Sequence, residues 1–436
     1  MIKMSRSLRD LGEIIRRQSY NVSDQLQTMG FQQPSLSANG NQQSPMYLAE
    51  VRESRAELLE AIDELRALVL GPDSYLFFAS FISPVWIAVF NTIYRYELAQ
   101  HVPKDGSISY ADLADRCGLA ELDLKRVIQA AVSLRMFEEQ PDGSVSHNAI
   151  SAVLSTPLVH DAVGFSTEEY VPAAMKMTEA LKRFPGSTIA GESAIAISNG
   201  SVGDSDIFSL ISHDSARVQR FTNAMSWVTT VPETSSVHFV DNVPWSQNQA
   251  SKPQTCPKVV VDIGGSGGDL CEALCRKFPG IEKAIVEDLP AVISNRMERS
   301  SSTDVTDRIE YQPYNFFAEQ VIKGADVYIF RTVLHDWPDS YAIQILQNQV
   351  SALKPGAQIL INDICLEASQ SESRINLQAQ CAHDLMVKMG LNAKERTRDE
   401  WAALLSNADI RFKIDSVITP PCSVHSIIRV IWEGTE

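Results

Sequence analysis

The stretch KVVVDIGGSGGDLCEALCRKFPGIEKAIVEDL, residues 258–289, decides the fold. Val259, Val260, Val261 and Ile263 form a β-branched run that reads as a strand buried on both faces. Asp262 stands near its end, and Gly264, Gly265, Gly267 and Gly268 follow. A helical pattern comes next. A second apolar run, Ala284 to Val286, ends in Glu287 and Asp288, about twenty residues past the glycines. This is the order of a nucleotide-binding βαβ half, with glycines for a tight turn and Asp288 placed to hold ribose hydroxyls. Cys271 and Cys275 lie four apart on the predicted helix and share a face. No second Cys/His pair completes zinc spacing, so they read as core and no metal is expected.

Outward from this stretch, strands and helices alternate to the end of the chain. Strands are predicted over 258–263, 283–287, 308–313, 326–331, 357–364, 411–419 and 424–433, and helices over 268–278, 339–353, 374–390 and 397–407. The pattern predicts an α/β fold with a doubly wound, Rossmann-like parallel sheet. No helix separates the last two strands and Pro420-Pro421 marks their turn, so an antiparallel hairpin is expected at one edge.

Ligands of such sheets sit beyond the carboxyl ends of the strands. The fourth strand ends in Arg331, followed by Leu334-His335-Asp336-Trp337. The fifth ends at Asp363, and the loop Lys394-Glu395-Arg396-Thr397 adds Glu395. A histidine among several carboxylates is an acid–base arrangement. A neutral imidazole can take a proton. A carboxylate on its far nitrogen fixes the tautomer and steadies the imidazolium, a part open to Asp363 or Glu395. Such a base suits a phenol, whose pKa of about 10 leaves phenolate about 4 kcal/mol out of reach at pH 7. The plainer readings are a structural His335, an Asp336 that caps the helix starting near Asp339, and a Trp337 that packs.

The 436 residues suit two or three domains, and the net charge of −16 argues against a nucleic-acid partner. No apolar run is read as long enough to span a bilayer. The N-terminal MIKMSRSLRDLGEIIRRQ lacks a secretory core, and Asp10 and Glu13 argue against a transit peptide; an exposed amphipathic helix is expected there. Seven scattered cysteines in a chain with no export signal read as reduced thiols, and a cytoplasmic location is expected. The Asn-X-Ser matches at Asn21 and Asn199 are then inert.

Residues 20–45, rich in Gln, Asn, Ser and Pro, read as a flexible connection. Helical spacing runs from Tyr47 to Val69, and Gly71-Pro72 ends it. The segment Tyr75 to Leu98 is apolar almost all round, so it should be buried, and a partner chain is a natural cover. Ser107 to Leu154 reads as helix, turn, helix and hairpin around Pro141-Asp142-Gly143, a winged helix. Residues 155–250 look mainly helical. The expected divisions are 1–46, a partly flexible extension; 47–160, a helical and winged-helix region; 161–250, a helical pocket region; and 251–436, the cofactor-binding domain.

VDIGGSGG (261–268), EDLP (287–290), LHDW (334–337), LKPGAQILINDICL (353–366) and KERT (394–397) together resemble the plant and fungal small-molecule O-methyltransferases of the caffeate and flavonoid type. The hairpin ending resembles methyltransferase sheets as well. The resemblance implies S-adenosyl-L-methionine as cofactor, held by Asp262, Gly264, Gly265, Gly267, Asp288, Asn315, Phe316 and Arg331. It implies His335 as general base with Asp363 and Glu395 flanking it. Phe221 and Met225 match the aromatic-plus-methionine helix that sandwiches the acceptor, and Asp336 and Met386 complete the expected acceptor contacts. Residues 75–155 resemble the family's winged-helix dimerisation domain, which implies a homodimer and not DNA binding.

The chain departs from the family at three places. Asn315 stands where the family carries an Asp near the adenine, Asp363 is shorter than the common Glu, and the front end is long. Phe316-Phe317 and that front end resemble fungal secondary-metabolite members. The expected activity is methylation of a phenolic or enolic hydroxyl of a polyketide-like metabolite. The alternative is a related non-methylating enzyme, a pericyclase or dehydratase that keeps S-adenosylmethionine as an electrostatic element, with His160 as a candidate extra acid. A regulator using the winged helix is the third reading.

Overall fold

The β-branched runs become the centre of a seven-stranded sheet. The computed structural model describes residues 6–38, 48–203, 206–245, 255–298, 304–366 and 374–434. They fall into two units. One is drawn from Met1–Pro172, Ile211–Val228 and Ser373–Ile375, the other from Ala173–Leu210, Thr229–Glu372 and Asn376–Glu436.

In the first unit the helix Leu8–Thr28 packs on Ala49–Phe77 through Val22, Leu26 and Val51. Ser7 and Asp10 form a capping box at its start. The helix extends nine residues into the stretch read as a flexible connection; the expectation fails there because Gln and Asn are tolerated on an exposed helical face. Residues 39–45 of that stretch lie outside the described residues.

Gly71-Pro72 does not end the second helix. Gly71, at φ 69°, bends it, and helical structure continues through a π-turn, Phe78–Ile82, into Ser83–Arg95. The π-turn carries the chain up to Pro84, which sits in the first turn of the next helix where its missing N–H costs nothing. Two expectations are corrected here. The run Glu50–Arg95 contains an 18-residue window of mean hydropathy 1.8 with at most two charges, long and apolar enough to cross a membrane by length and composition. The apolar segment is also exposed in the single chain, Phe81 by 72%, along with Leu76, Phe77, Phe78 and Val85.

Further on, the helices Tyr110–Cys117 and Glu121–Ser133 precede a small antiparallel sheet. Its strands are β1 (Ser107–Ile108), β2 (Glu138–Glu139) and β3 (Val145–Ser146), in the order β1-β3-β2. Leu113, Leu124, Ile128, Phe137 and Val145 form their core.

The second unit holds β4 (Val259–Ile263), β5 (Lys283–Asp288), β6 (Ile309–Pro313), β7 (Val327–Arg331), β8 (Gln358–Asn362), a short ribbon of β9 (Cys365–Leu366) and β10 (Arg396–Thr397), then β11 (Phe412–Ile418) and β12 (Ile427–Trp432). The large sheet runs β11-β12-β8-β7-β4-β5-β6. The five strands from β6 to β8 pair in parallel, whereas β12 is antiparallel to both β8 and β11. Alternate residues feed two cores. Val261, Ile263, Tyr328, Phe330, Ile359 and Ile361 face one side, and Val260, Ala284, Val286, Val327, Ile329 and Leu360 the other. Burial on both faces is why these strands read as unbroken apolar runs rather than alternating ones. β4 lies between β5 and β7, so the chain reverses its direction of strand addition there, and a crevice opens at the carboxyl ends.

Candidate active site

The glycine loop follows β4 directly. Gly264 and Gly265 donate their N–H groups to the Glu287 carbonyl at 2.8 and 3.1 Å, which ties the loop to the end of β5. A Cβ on Gly265 would lie 2.7 Å from an Asp262 oxygen and 2.9 Å from Val286, and one on Gly268, at φ 83°, 2.8 Å from the Tyr311 hydroxyl. The loop therefore exposes bare backbone, and the helix Asp269–Lys277 starts immediately behind it. Around Gly267 the space is open, with nothing nearer than 3.9 Å.

Asp288 accepts from the Ser266 N–H at 2.9 Å and the Leu289 N–H at 2.7 Å. Burial raises its pKa against the pull of those bonds. Asp262 is buried under the loop with the Cys271 thiol donating to it at 3.8 Å. Burial pushes its pKa up to about 7, opposed by the nearby Arg331. Cys271 and Cys275 are both buried in the core behind β4. Arg331 donates to the Thr234 carbonyl at 2.7 Å, and burial lowers its pKa.

At the end of β7 the chain turns through Thr332, at φ 51°, into a 3-10 turn, Leu334–Asp336. This turn presents His335. Its Nδ1 lies 2.7 Å from Glu395 Oε1, its Nε2 3.6 Å from Asp336 Oδ1, and its main-chain N–H donates to Asp363 at 3.1 Å. The ring is almost completely buried. Burial opposes the charged ring, but Glu395, Asp336 and Asp363 together outweigh it and push the imidazole up to about 10. Burial likewise raises Asp336 and Asp363 to about 6, with His335 pulling each back down.

The sequence left the ring's partner open between two acids. Glu395 is the one that touches the ring; Asp363 holds the main chain of the same residue. Asp336 does not cap the next helix, whose N-cap is Pro338. Trp337 packs among Phe208, Phe316, Phe317 and Tyr341. The exposed Asn315 accepts from the Phe317 N–H at 3.0 Å through its side-chain oxygen, so that atom closes its own turn. Met386 is exposed on the helix Arg374–Leu391. Phe221 and Met225 lie one turn apart on the helix Ser215–Val228 of the first unit, where Phe221 meets the Phe165 ring edge-to-face at 5.5 Å.

Several residues of the site had no sequence signal. Asp384 accepts from the Glu395 N–H at 2.8 Å, His383 lies 6.4 Å from His425 between ring centres, and Arg396 is wholly buried beside Glu395. Among the described residues no group of three His, Cys, Asp or Glu side chains has metal-ligand geometry.

A switch-point crevice with a bare glycine loop, an acid ending the next strand and an acid–base cluster ending the fourth defines an enzyme that acts through a nucleoside cofactor. Comparison with known proteins takes this further. A model of the O-methyltransferase domain matches residues 199–411. The O-methyltransferase kk1A of Curvularia clavata is 32% identical over 429 residues, covering 98% of this chain and 97% of that protein. The chlorophenol O-methyltransferase of Trichoderma longibrachiatum is 32% identical over 427 residues, covering 97% and 90%. Of solved structures, LepI in complex with SAM superposes with a TM-score of 0.74 at 23% identity, covering 87% of this chain and 94% of that one. The mitomycin 7-O-methyltransferase MmcR does so with a TM-score of 0.68 at 23% identity, covering 83% and 98%. These last two likenesses show the fold. The chain belongs to the small-molecule O-methyltransferase family. Its cofactor is S-adenosylmethionine, and the sheet domain is of the α/β Rossmann-like methyltransferase kind.

Proposed function

We propose that the protein methylates a phenolic or enolic hydroxyl of a polyketide-like metabolite, with His335 as general base. The observation that carries this is the 2.7 Å contact between His335 Nδ1 and Glu395 inside a buried cluster of carboxylates. The residues fit the cofactor. At Gly264, Gly265 and Gly268 a Cβ would run into Val333, Asp262, Val286 or Tyr311, so the loop lies tight on the sheet and offers only backbone, with the Asp262 and Asp288 carboxyls beside it. Asp288 would hold the ribose, Arg331 would meet the amino-acid carboxylate, and Phe316 would cover the base. When bound, S-adenosylmethionine supplies an electrophilic methyl group on a positively charged sulfur.

The chain's own residues handle the proton. Glu395 fixes the tautomer in which Nε2 is free to accept, and it stabilises the imidazolium that results. The hydroxyl proton goes to Nε2 and the oxygen's electron pair is freed for the methyl carbon. A phenol near pKa 10 facing an imidazole pushed to about 10 makes that transfer close to thermoneutral. Asp336 stands by Nε2, where it can orient the hydroxyl. Incubation with methyl-labelled cofactor and a phenol panel should yield labelled ethers. His335→Ala should stop ether formation while S-adenosylhomocysteine still binds; retained turnover rules it out as the base.

The first unit is read as a winged-helix dimerisation domain. A second copy is the natural cover for the exposed Leu76, Phe77, Phe78, Phe81 and Val85, five large apolar side chains on one short stretch. Sedimentation should show a dimer that Phe81→Asp dissociates. A monomeric parent that floats with phosphatidylcholine vesicles would assign the same stretch to a membrane instead.

A second reading, pericyclic or dehydrating chemistry without methyl transfer, has one observation behind it. A cavity of about 290 Å³ in the first unit is lined by Tyr94, Arg95, Glu97, His160, Glu168 and Arg220. It sets an imidazole 4.7 Å from a phenol ring. Product formed without label transfer would favour that reading.

A further inference from the structure

We propose that Arg396 is a positioning residue for the base: with Glu395 it forms a two-residue clamp in which the acid grips the imidazole ring and the guanidinium grips the turn that carries it. The proposal rests on His335 being the base.

Arg396 has no exposed surface. Its three nitrogens point three ways. Nη1 donates to the Leu334 carbonyl at 3.0 Å, Nη2 to the Trp337 carbonyl at 2.7 Å, and Nε to Asp339 at 2.9 Å. The two carbonyls flank His335 on the chain. The guanidinium carbon also lies 5.0 Å from the centre of the Trp401 ring. A charge kept from water is costly unless its donors are met, and an apolar residue of similar size would fill the space without that cost. What the charge adds is direction. A planar fork can bridge two carbonyls at fixed spacing, and a lysine ammonium cannot.

The clamp is anchored on both sides. Arg396 pairs with Cys365 in the parallel ribbon β9–β10, two residues past Asp363, whose oxygen holds the His335 N–H. Behind it, Asp384 receives the Glu395 N–H. The base is therefore fixed at its main-chain nitrogen by Asp363, at its ring by Glu395, and at the carbonyls on either side by Arg396. Arg396 opens β10, Glu395 stands one residue before that strand and Asp363 two residues before β9, so the ribbon ties the three contacts together.

A residue that only props the fold would not move the ring's titration. The groups facing that ring are Glu395, Asp336 and Asp363, with His383 and His425 also within electrostatic reach. The test is Arg396→Lys in the full chain, with the His335 imidazole followed by nitrogen-15 NMR against pH and assigned through His335→Gln. Loosening the turn lengthens the Glu395 contact, so the ring should titrate about one unit lower than in the parent. With the best acceptor from the phenol panel, kcat should fall on the order of 100-fold with KM within about threefold, because a small misplacement of a catalytic group costs that much. A folded Arg396→Lys with the parent's titration and a kcat within about threefold of it overturns the proposal. Should that variant fail to fold, Asp339→Ala decides. The Asp339 side chain is 46% exposed, takes the Nε donor alone of the three Arg396 nitrogens, and also pairs with Lys394 at 3.4 Å. A smaller downward shift in that variant supports the clamp, and an unmoved titration overturns it. A parent that methylates nothing in the panel refutes the functional reading instead, and the NMR titration still answers for the clamp.

Discussion

Glu287→Gln should stabilise the protein, and more so as pH rises. Glu287 ends β5 beside Asp288, and its carbonyl receives both N–H groups of the glycine loop. Its side chain points the other way, fully buried. One oxygen accepts from Gln320 at 2.7 Å, while the other has no partner. Burial pushes this carboxyl up to about 7, and the Gln320 donor pulls only weakly against it. Moving this carboxyl from its ordinary 4.5 to about 7 is worth roughly 3 kcal/mol.

The sign follows from proton binding. The folded chain holds this proton more tightly than the unfolded one, so stability is complete below the unfolded value. It is lost as pH climbs through the folded value. Glutamine cannot ionise, its amide oxygen can still accept from Gln320, and its NH2 occupies the unpartnered side. Urea unfolding followed by tryptophan fluorescence measures the outcome. The stability of Glu287→Gln minus that of the parent should be larger at pH 8 than at pH 5 by roughly 2 kcal/mol. A difference that does not change with pH would refute the claim that folding keeps the proton.

Three further outcomes are expected. Gly265→Ala places a methyl group 2.7 Å from Asp262 and should abolish S-adenosylhomocysteine binding by calorimetry; an unchanged Kd would mean the loop has slack. Asp288→Ala removes the acceptor of the Ser266 and Leu289 N–H groups and should weaken the same ligand roughly 10- to 100-fold, with circular dichroism unchanged. The rate of methyl transfer at saturating substrates should climb from pH 6 to 9, because the base works unprotonated and its neighbours push its pKa up to about 10. A flat profile over that range would mean the ring carries no proton at rest.

The parallel strands were legible because burial on both faces leaves runs such as Val259–Val261 or Val327–Phe330 without the alternation of a half-exposed strand. The glycine loop was legible because only glycine fits between Asp262, Val286 and Tyr311. What depends on direction was not. Asp363 and Glu395 are equivalent in sequence as acids near a histidine, and only the β9–β10 ribbon decides which oxygen meets the ring. Arg396 stands in the KERT motif with no role assigned until its three acceptors are seen. The turn that Asn315 closes with its side-chain oxygen had no signal either. The segment 75–87 carries the same letters whether a partner covers it or solvent does, so its exposure had no signal. The helical run to Arg95 was missed because Gly71-Pro72 reads as a stop, while the backbone bends there and goes on.

The charges of the second unit make one further sense together. Asp262, Asp288, Asp336, Asp363 and Glu395 stand on the crevice strands and loops, against Arg331, Arg396 and the His335 ring. Burial raises Asp262 to about 7 and Asp336 and Asp363 to about 6, so these three carboxyls hold part of a proton near neutral pH. A cation entering such a site lowers those values and expels protons; a neutral ligand of the same shape does not. Binding of a stable sulfonium or ammonium analogue of the cofactor should therefore tighten from pH 6 to 8 and release protons, read by calorimetry in buffers of different ionisation enthalpy. S-adenosylhomocysteine, whose sulfur is uncharged, should release fewer over the same range. Equal release from the two ligands would mean that these acids do not sense charge at the sulfur, and that the crowding of carboxylates around the crevice serves the fold alone.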